Sequence, residues 1–99
     1  MIEYIYDAIK ATATTDTVIS AEVSDAEGKV VTEGLALMLH DKNDDMIGTY
    51  AGIFVEDLGT WFFTIPADDT RELRGRHMYC ICNVAEQRNL CFKQPIYFV

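Results

Sequence analysis

The most strongly patterned segment of this 99-residue chain is Trp61-Phe62-Phe63-Thr64-Ile65-Pro66. Trp61, Phe63 and Ile65 occupy alternate positions, the spacing that places side chains on one face of a β-strand. Pro66 ends the pattern because proline has no backbone N–H to donate to a neighbouring strand. The segment therefore predicts a strand that turns one aromatic-rich face into a hydrophobic core.

The same alternation recurs along the rest of the chain, between segments rich in turn-forming residues. It predicts strands at Ile2–Tyr6 (running on toward Thr12), Thr17–Ser24, Leu35–His40, Ile47–Val55, Arg76–Val84 and Asn89–Val99. Ala67–Arg74 lacks the alternation and predicts one short helical turn. About seven or eight short strands without a long helix are typical of a β-sandwich or a small barrel.

Two polar segments predict turns between these strands. In Asp25-Ala26-Glu27-Gly28, an aspartate opens the turn and a glycine takes the left-handed position, which predicts a hairpin closed by a short strand at Lys29–Val31. Asp41–Asp45 begins like a calcium loop, but Met46 and Gly52 stand where such a loop requires glycine and glutamate. We therefore predict a solvated turn there.

Composition and charge limit the classes of partner. The net charge of −8 and the pI of about 4.5 argue against binding to nucleic acid, whose affinity comes from basic groups. They permit a basic protein partner or mimicry of DNA charge, and acids in turns also keep a domain soluble. No apolar run approaches the ~18 residues needed to span a bilayer, so we expect no membrane partner. The N-terminal residues do not resemble a secretory signal, which predicts a cytosolic chain with reduced thiols.

Three cysteines form a candidate thiol cluster. Cys80 and Cys82 point to the same face of one predicted strand, and a four-residue loop after it would place Cys91 opposite Cys82. His77 has the opposite parity and His40 lies on a distant predicted strand, so a fourth zinc ligand is missing. Core packing is the simplest interpretation of these thiols, and a metal or redox role is the alternative.

No catalytic constellation is present in the sequence. It contains no GxSxG, no HExxH and no phosphate-cradling glycine loop. We therefore expect no enzymatic activity, no cofactor and no metal site.

Aromatic residues suggest where a partner binds. Trp61, Phe62 and Phe63 are consecutive, so at least one large ring faces away from the core. Pro95 predicts that the last strand is an edge or is bulged, and Lys93–Val99 could then pair with a partner's strand. Large apolar side chains on a sheet face or edge can mark a contact surface. The predicted interaction surface consists of Phe62, Tyr97, Phe98 and Val99.

A longer pattern carries a resemblance to a known class of proteins. It runs from Trp61–Pro66 through Asp69–Leu73 to Gly75–Ile81, and Val23–Val31 adds a D-x-x-G-x-x-V hairpin upstream. This pattern resembles small immunoglobulin-like β-sandwich proteins of tailed bacteriophages, including baseplate and other virion-associated domains. His77 stands where those proteins usually have a tyrosine, and the cysteines are unusual. The resemblance implies one immunoglobulin-like antiparallel β-sandwich over residues 1–99, acting through its surfaces.

The function predicted from these observations is that of a non-enzymatic structural or assembly protein of a phage particle, as a tail, neck or head accessory. Its partners would be other virion proteins or copies of itself, as a homo-oligomer or part of a larger assembly. It would be located in the virion, and in the host cytoplasm during assembly. The alternative is a small acidic inhibitor or host-takeover protein that binds a basic surface on a cellular protein. A third hypothesis is a redox- or metal-responsive module at Cys80, Cys82 and Cys91.

Overall fold

A computed structural model of the chain describes residues 9–84, 88–89 and 93–99. Its described elements are β1 (Ile9–Ala11), β2 (Thr17–Ala21), β3 (Leu35–His40), β4 (Met46–Val55), a 3₁₀ turn (Glu56–Leu58), β5 (Thr60–Ile65), α1 (Ala67–Thr70), β6 (Gly75–Asn83), β7 (Arg88–Asn89) and β8 (Gln94–Phe98). The all-β class is confirmed. So is the helical turn near 67–74, whereas the 3₁₀ turn was not predicted. The strand predicted at Ile2–Tyr6 lies outside the described residues.

The strands form two layers joined through β4. One layer has the order β1-β8-β6-β3-β4 and the other the order β4-β5-β2. The first half of β4 pairs with β3 and its last four residues, Gly52–Val55, pair with β5. The neighbours β8-β6-β3 and β2-β5-β4 repeat the G-F-C and B-E-D strand orders of the immunoglobulin fold. Because β4 belongs to both layers, the sandwich is closed along this side and resembles a barrel.

Two predictions about the last strand are wrong. β8 lies between β1 and β6, so it is not an edge, and its pairing with β1 is parallel rather than antiparallel. Within the described residues that parallel pairing begins at Ile96, after Pro95, so the proline precedes the β1 ladder and does not interrupt it. Pro95 itself is in register with Met78 on β6.

The inner faces of both layers meet in one hydrophobic core. The predicted inward stripes are confirmed, because Trp61, Phe63 and Ile65 on β5 are buried, as are the leucines of β3. The indole Nε1 of Trp61 donates a hydrogen bond to the carbonyl oxygen of Val31 at 2.6 Å. The described core consists of Ala11, Ala13, Ile19, Leu35, Leu37, Leu39, Trp61, Phe63, Ile65, Ile81, Ile96 and Phe98.

Both predicted turns are stabilised by an aspartate side chain. Asp25 Oδ1 accepts hydrogen bonds from the amides of Glu27 and Lys29, at 2.9 and 3.0 Å. Asp41 Oδ1 accepts bonds from the amides two and four residues further on in the same way. The predicted hairpin is confirmed, but the short strand predicted at Lys29–Val31 is reduced to a single antiparallel bridge, between Ser24 and Val30.

The helical turn is capped by a residue from a distant loop. Pro66 occupies the N-cap position without a side-chain cap, and Asp16 Oδ1 accepts the amide proton of Ala67 at 2.7 Å. Asp68 and Asp69 are exposed at the N-terminal end of α1. Negative charge at this end of a helix interacts favourably with the helix dipole.

Candidate interaction surface

The outer face of the β2-β5-β4 layer carries exposed apolar side chains. In one row, Phe62 lies between Ser20 on β2 and Ile53 on β4. Ile53 is 69% exposed and Val18, in the neighbouring row on β2, is 59% exposed, while Phe62 is half-buried. We call Val18, Phe62 and Ile53 the outer-sheet patch. It contains one residue predicted from the sequence and two that were missed.

Acidic residues surround this patch. β2, β4 and β5 themselves contain no charged residue. Glu22, Glu56 and Asp57 follow the strands at one end of the layer, and Asp16 precedes β2 at the other end; all four are exposed. The layer therefore presents an apolar centre with a negatively charged rim.

The C-terminal residues do not extend this surface. Phe98 belongs to the core, so its assignment to an interaction surface is wrong. Its parity on β8 points inward because Ile96 and Phe98 share a face, while Tyr97 points outward between them. Tyr97 and Val99 are exposed, but Tyr97 lies on the outer face of the other layer and does not meet Phe62.

The thiols lie on the outer face of the β6-containing layer. Cys80 is opposite Met38 and Cys82 is opposite Ala36 on β3, and both cysteines are buried.

Cys82 is also paired with Asn89, so the predicted placement of Cys91 opposite Cys82 is wrong. Four residues, 84–87, lie between the paired Asn83 and Arg88, so the loop begins one residue earlier than predicted. Cys91 lies outside the described residues. Burial raises the pKa of the Cys82 thiol, which disfavours the nucleophilic thiolate.

The two histidines lie on opposite faces. His77 points into the core, where its ring meets Phe98 edge-on with centroids 5.2 Å apart, in agreement with its predicted parity. The placement of His40 on a distant strand is wrong, because β3 is the direct neighbour of β6 and His40 is opposite Met78. His40 therefore shares a face with Cys80 and Cys82. Within the described part of the chain, no three His, Cys, Asp or Glu side chains converge on a common point.

One ion pair crosses the end of this layer. Lys93, just before β8, donates a hydrogen bond to Asp44 in the turn after β3. The hydrogen bond and the positive charge of Lys93 lower the pKa of Asp44, and His40 contributes a smaller lowering. The exposed turn is thereby attached to the last strand.

A cleft of about 570 Å³ lies beside α1. The hydroxyl of Tyr50 donates a hydrogen bond to Asp69 Oδ2 at 3.0 Å across it. Burial, followed by the interaction with Asp69, raises the pKa of Tyr50 to about 12. The phenol is therefore a neutral donor at pH 7, and this bond joins β4 to α1.

Comparison with known proteins finds no matching family model, no similar curated protein and no similar solved structure. Among the described residues, no helix is both long enough and apolar enough to cross a bilayer.

Proposed function

We propose that the chain is a non-enzymatic assembly protein of a phage particle that binds a neighbouring subunit through its outer-sheet patch. The observation that carries the proposal is the exposure of Val18 and Ile53 on both sides of Phe62. The phage context is supported by the sequence pattern described above and by the immunoglobulin-like strand order.

The chemistry of the patch specifies the partner. Removing the side chains of Val18, Ile53 and Phe62 from water favours association, at about 25 cal/mol per Å² of apolar area before the costs of binding are subtracted. The acidic rim at Glu22, Glu56 and Asp57 attracts basic groups around an apolar contact. Two copies of a chain with a net charge of −8 repel each other, so a basic neighbouring subunit fits the patch better than a second copy.

The experiment measures incorporation of the chain into particles. Quantitative mass spectrometry on purified particles is expected to find the chain at a fixed ratio to capsid or tail proteins. The variant V18T/I53T keeps β-branched residues in the strands but replaces apolar groups by hydroxyls. It is expected to lower incorporation at least about ten-fold, which corresponds to the loss of about 1.4 kcal/mol of binding.

A matched control separates the patch from exposed apolar residues in general. Val30 is half exposed in the hairpin that follows the turn at Asp25–Gly28, and it lies outside the outer-sheet patch. The V30T variant is therefore expected to be incorporated like the wild type. Equal incorporation of V18T/I53T and wild type, with both folded, would exclude the patch as the contact.

The acidic rim also supports a second function, that of an inhibitor which covers a basic surface on a cellular protein. This alternative predicts expression in the infected cell and absence from clean particles. Its binding would weaken as salt rises, since exposed charges are screened over about 8 Å at physiological ionic strength. A partner whose affinity does not change with salt would exclude it.

A further inference from the structure

We propose that a cationic pocket at the end of the β3–β6 pair binds a phosphate group through the side chains of Lys42, Arg74 and Arg76. The pocket has a volume of about 380 Å³. It is lined by residues 41–43, in the turn after β3, and by residues 74–77, around the start of β6. These segments belong to the β6-containing layer, whereas the outer-sheet patch lies on the β2-β5-β4 layer, so the two sites are separate.

The lining concentrates positive charge in an acidic protein. It contains three of the eight lysine and arginine residues of a chain whose net charge is −8. Its one carboxylate is that of Asp41, whose Oδ1 accepts the amide protons of Asn43 and Asp45 at 2.8 and 3.0 Å. These bonds hold that oxygen in its own turn. The remaining excess of positive charge favours a divalent anion, and a phosphate group carries about −1.5 to −2 charges at pH 7.

The pocket begins where the ladder between β3 and β6 ends. The last pair of that ladder is His40 and Met78. Lys42 and Arg76 stand two positions beyond this pair on their own segments, and both are exposed. Two segments therefore bring cationic side chains to one pocket, where they repel each other. A bound anion removes this repulsion.

Arg76 has hydrogen-bond donors available for a ligand. Its Nη2 lies 3.9 Å from Met78 Sδ, and a thioether sulfur is only a weak acceptor. A phosphate oxygen is a much stronger acceptor for a guanidinium and replaces this contact on binding. Within the described part of the chain, no carboxylate forms an ion pair with Arg76, Lys42 or Arg74.

Arg74 is held in position by the helical turn that precedes it. Its Nη1 donates hydrogen bonds to the carbonyl oxygens of Arg71 and Leu73, at 2.9 and 2.7 Å. Because the side chain is ordered before a ligand arrives, binding costs less conformational entropy. Nε and Nη2 form no hydrogen bond with the described residues, and the planar guanidinium matches phosphate oxygens in geometry.

The size of the pocket limits the ligand to a small molecule. Ligand pockets in proteins usually have volumes of about 300–1,000 Å³, and this one lies near the lower end of that range. It accommodates inorganic phosphate or a small phosphate ester, which share the phosphate group. The distant acids of the chain repel such an anion only weakly, since salt screens exposed charges over about 8 Å.

The experiment is an NMR titration of the full-length chain with sodium phosphate, compared with sodium chloride at the same ionic strength and pH. We expect the amide signals of residues 41–43 and 74–77 and the Nε signals of Arg74 and Arg76 to shift together and to saturate. The amide signals of residues 25–29, which form another polar turn, are expected to stay unchanged. Equal shifts with chloride, or shifts that never saturate, would overturn the proposal.

A second titration, with glycerol phosphate, identifies the source of the phosphate group. Binding at least as tight as that of inorganic phosphate assigns the pocket to a small phosphate ester. Weaker binding than that of inorganic phosphate assigns it to the free ion. If neither compound binds, the proposal is wrong.

Variants test the same assignment by affinity. K42Q/R76Q removes two cations at exposed positions and is expected to weaken phosphate binding at least about ten-fold, because hydrogen bonds to charged groups are strong. K10Q/K29Q removes the same net charge at exposed lysines outside the pocket and is expected to leave the affinity within about three-fold.

An equal loss of affinity in K10Q/K29Q would overturn the assignment, because binding would then follow net charge alone. V18T/I53T, which changes the outer-sheet patch, is expected to bind phosphate like the wild type, so failure of the patch and failure of the pocket are distinguishable. The titration of the unsubstituted chain decides the matter if a variant does not fold.

Discussion

The hydroxyl oxygen of Thr70 lies 2.8 Å from the carbonyl oxygen of Ala13, 57 positions earlier in the chain. The carbonyl oxygen of Thr15 is also 2.8 Å from the same hydroxyl. Thr70 ends α1 and is fully buried, whereas Ala13 and Thr15 lie between β1 and β2. One side chain therefore joins the helical turn to the loop that connects the two layers.

We predict that Thr70→Val destabilises the protein by about 1–3 kcal/mol, because it leaves a buried carbonyl oxygen without its donor while keeping the side-chain shape. Chemical denaturation measures the difference. Thr64→Val makes the same change at an exposed position of β5 and is expected to alter the free energy of unfolding by less than about 0.5 kcal/mol. Equal denaturation midpoints for the wild type and Thr70→Val would show that the Thr70 hydroxyl contributes nothing to the free energy of unfolding.

The sequence predicted the features that depend on local spacing. Alternation alone identified the buried faces of β3 and β5, and Asp25 and Asp41 identified the turns, because these patterns extend over a few residues. It did not predict which strands are neighbours. The contact of Thr70 with Ala13 and the position of β8 inside its layer depend on pairing between distant segments, which period-2 patterns do not encode.

Gly52 gives a prediction about packing between β4 and β5. A Cβ atom at this position would lie 2.5 Å from Phe63 Cε1 and 2.6 Å from Trp61 Cε3, closer than real Cβ atoms approach other atoms. Both rings are buried in the hydrophobic core, so a shift of either ring would disturb its packing. We therefore expect Gly52→Ala to destabilise the protein by about 1–3 kcal/mol.

Thermal unfolding of Gly52→Ala measures this effect, and Thr49→Ala is the control. Thr49 lies on the same strand but is exposed, so its truncation is expected to be nearly neutral. A Gly52→Ala protein as stable as the wild type would show that the two rings can move apart at little cost.

The Tyr50–Asp69 hydrogen bond predicts a pH dependence. The pKa of Tyr50 is raised from 10.0 to about 12, so the folded state holds this proton more tightly than the unfolded state. The stability that results is fully present below pH 10 and is lost as pH rises through about 12. Tyr50→Phe removes this contribution, so the stabilities of the variant and the wild type are expected to converge over that interval.

Absorbance titration of the phenols tests the same assignment directly. The wild type minus Tyr50→Phe difference is expected to show one group that ionises near pH 12. A difference curve centred near pH 10 would show that the hydroxyl is not held by Asp69 in solution.

The candidate surface was predicted only in part, for a reason that is also geometric. Parity showed that Phe62 points away from Trp61 and Phe63, but the exposure of Val18 and Ile53 beside it follows from the pairing of β2 and β4 with β5. Phe98 was assigned to the surface because its strand was expected at an edge.

The last three residues are predicted to be needed for folding rather than only for binding. The amide of Val99 donates to the carbonyl oxygen of Ala11 at 2.8 Å, and its carbonyl oxygen accepts the amide of Ala13 at 2.9 Å. The side chain of Phe98 packs in the hydrophobic core. Loss of a buried phenylalanine side chain lowers the free energy of unfolding by about 3–5 kcal/mol. That is a large share of the roughly 5–15 kcal/mol that stabilises a typical domain.

Deletion of Tyr97–Val99 is therefore expected to unfold most of the protein at 37 °C, as measured by circular dichroism. Tyr97→Ser is the control, because this exposed side chain lies outside the core and its loss is expected to leave the melting temperature nearly unchanged. If Tyr97→Ser folds but fails to assemble, the outer face of β8 contributes to binding as well. A deletion variant that melts like the full chain would mean that β1 and β6 hold the rest of β8 without Phe98.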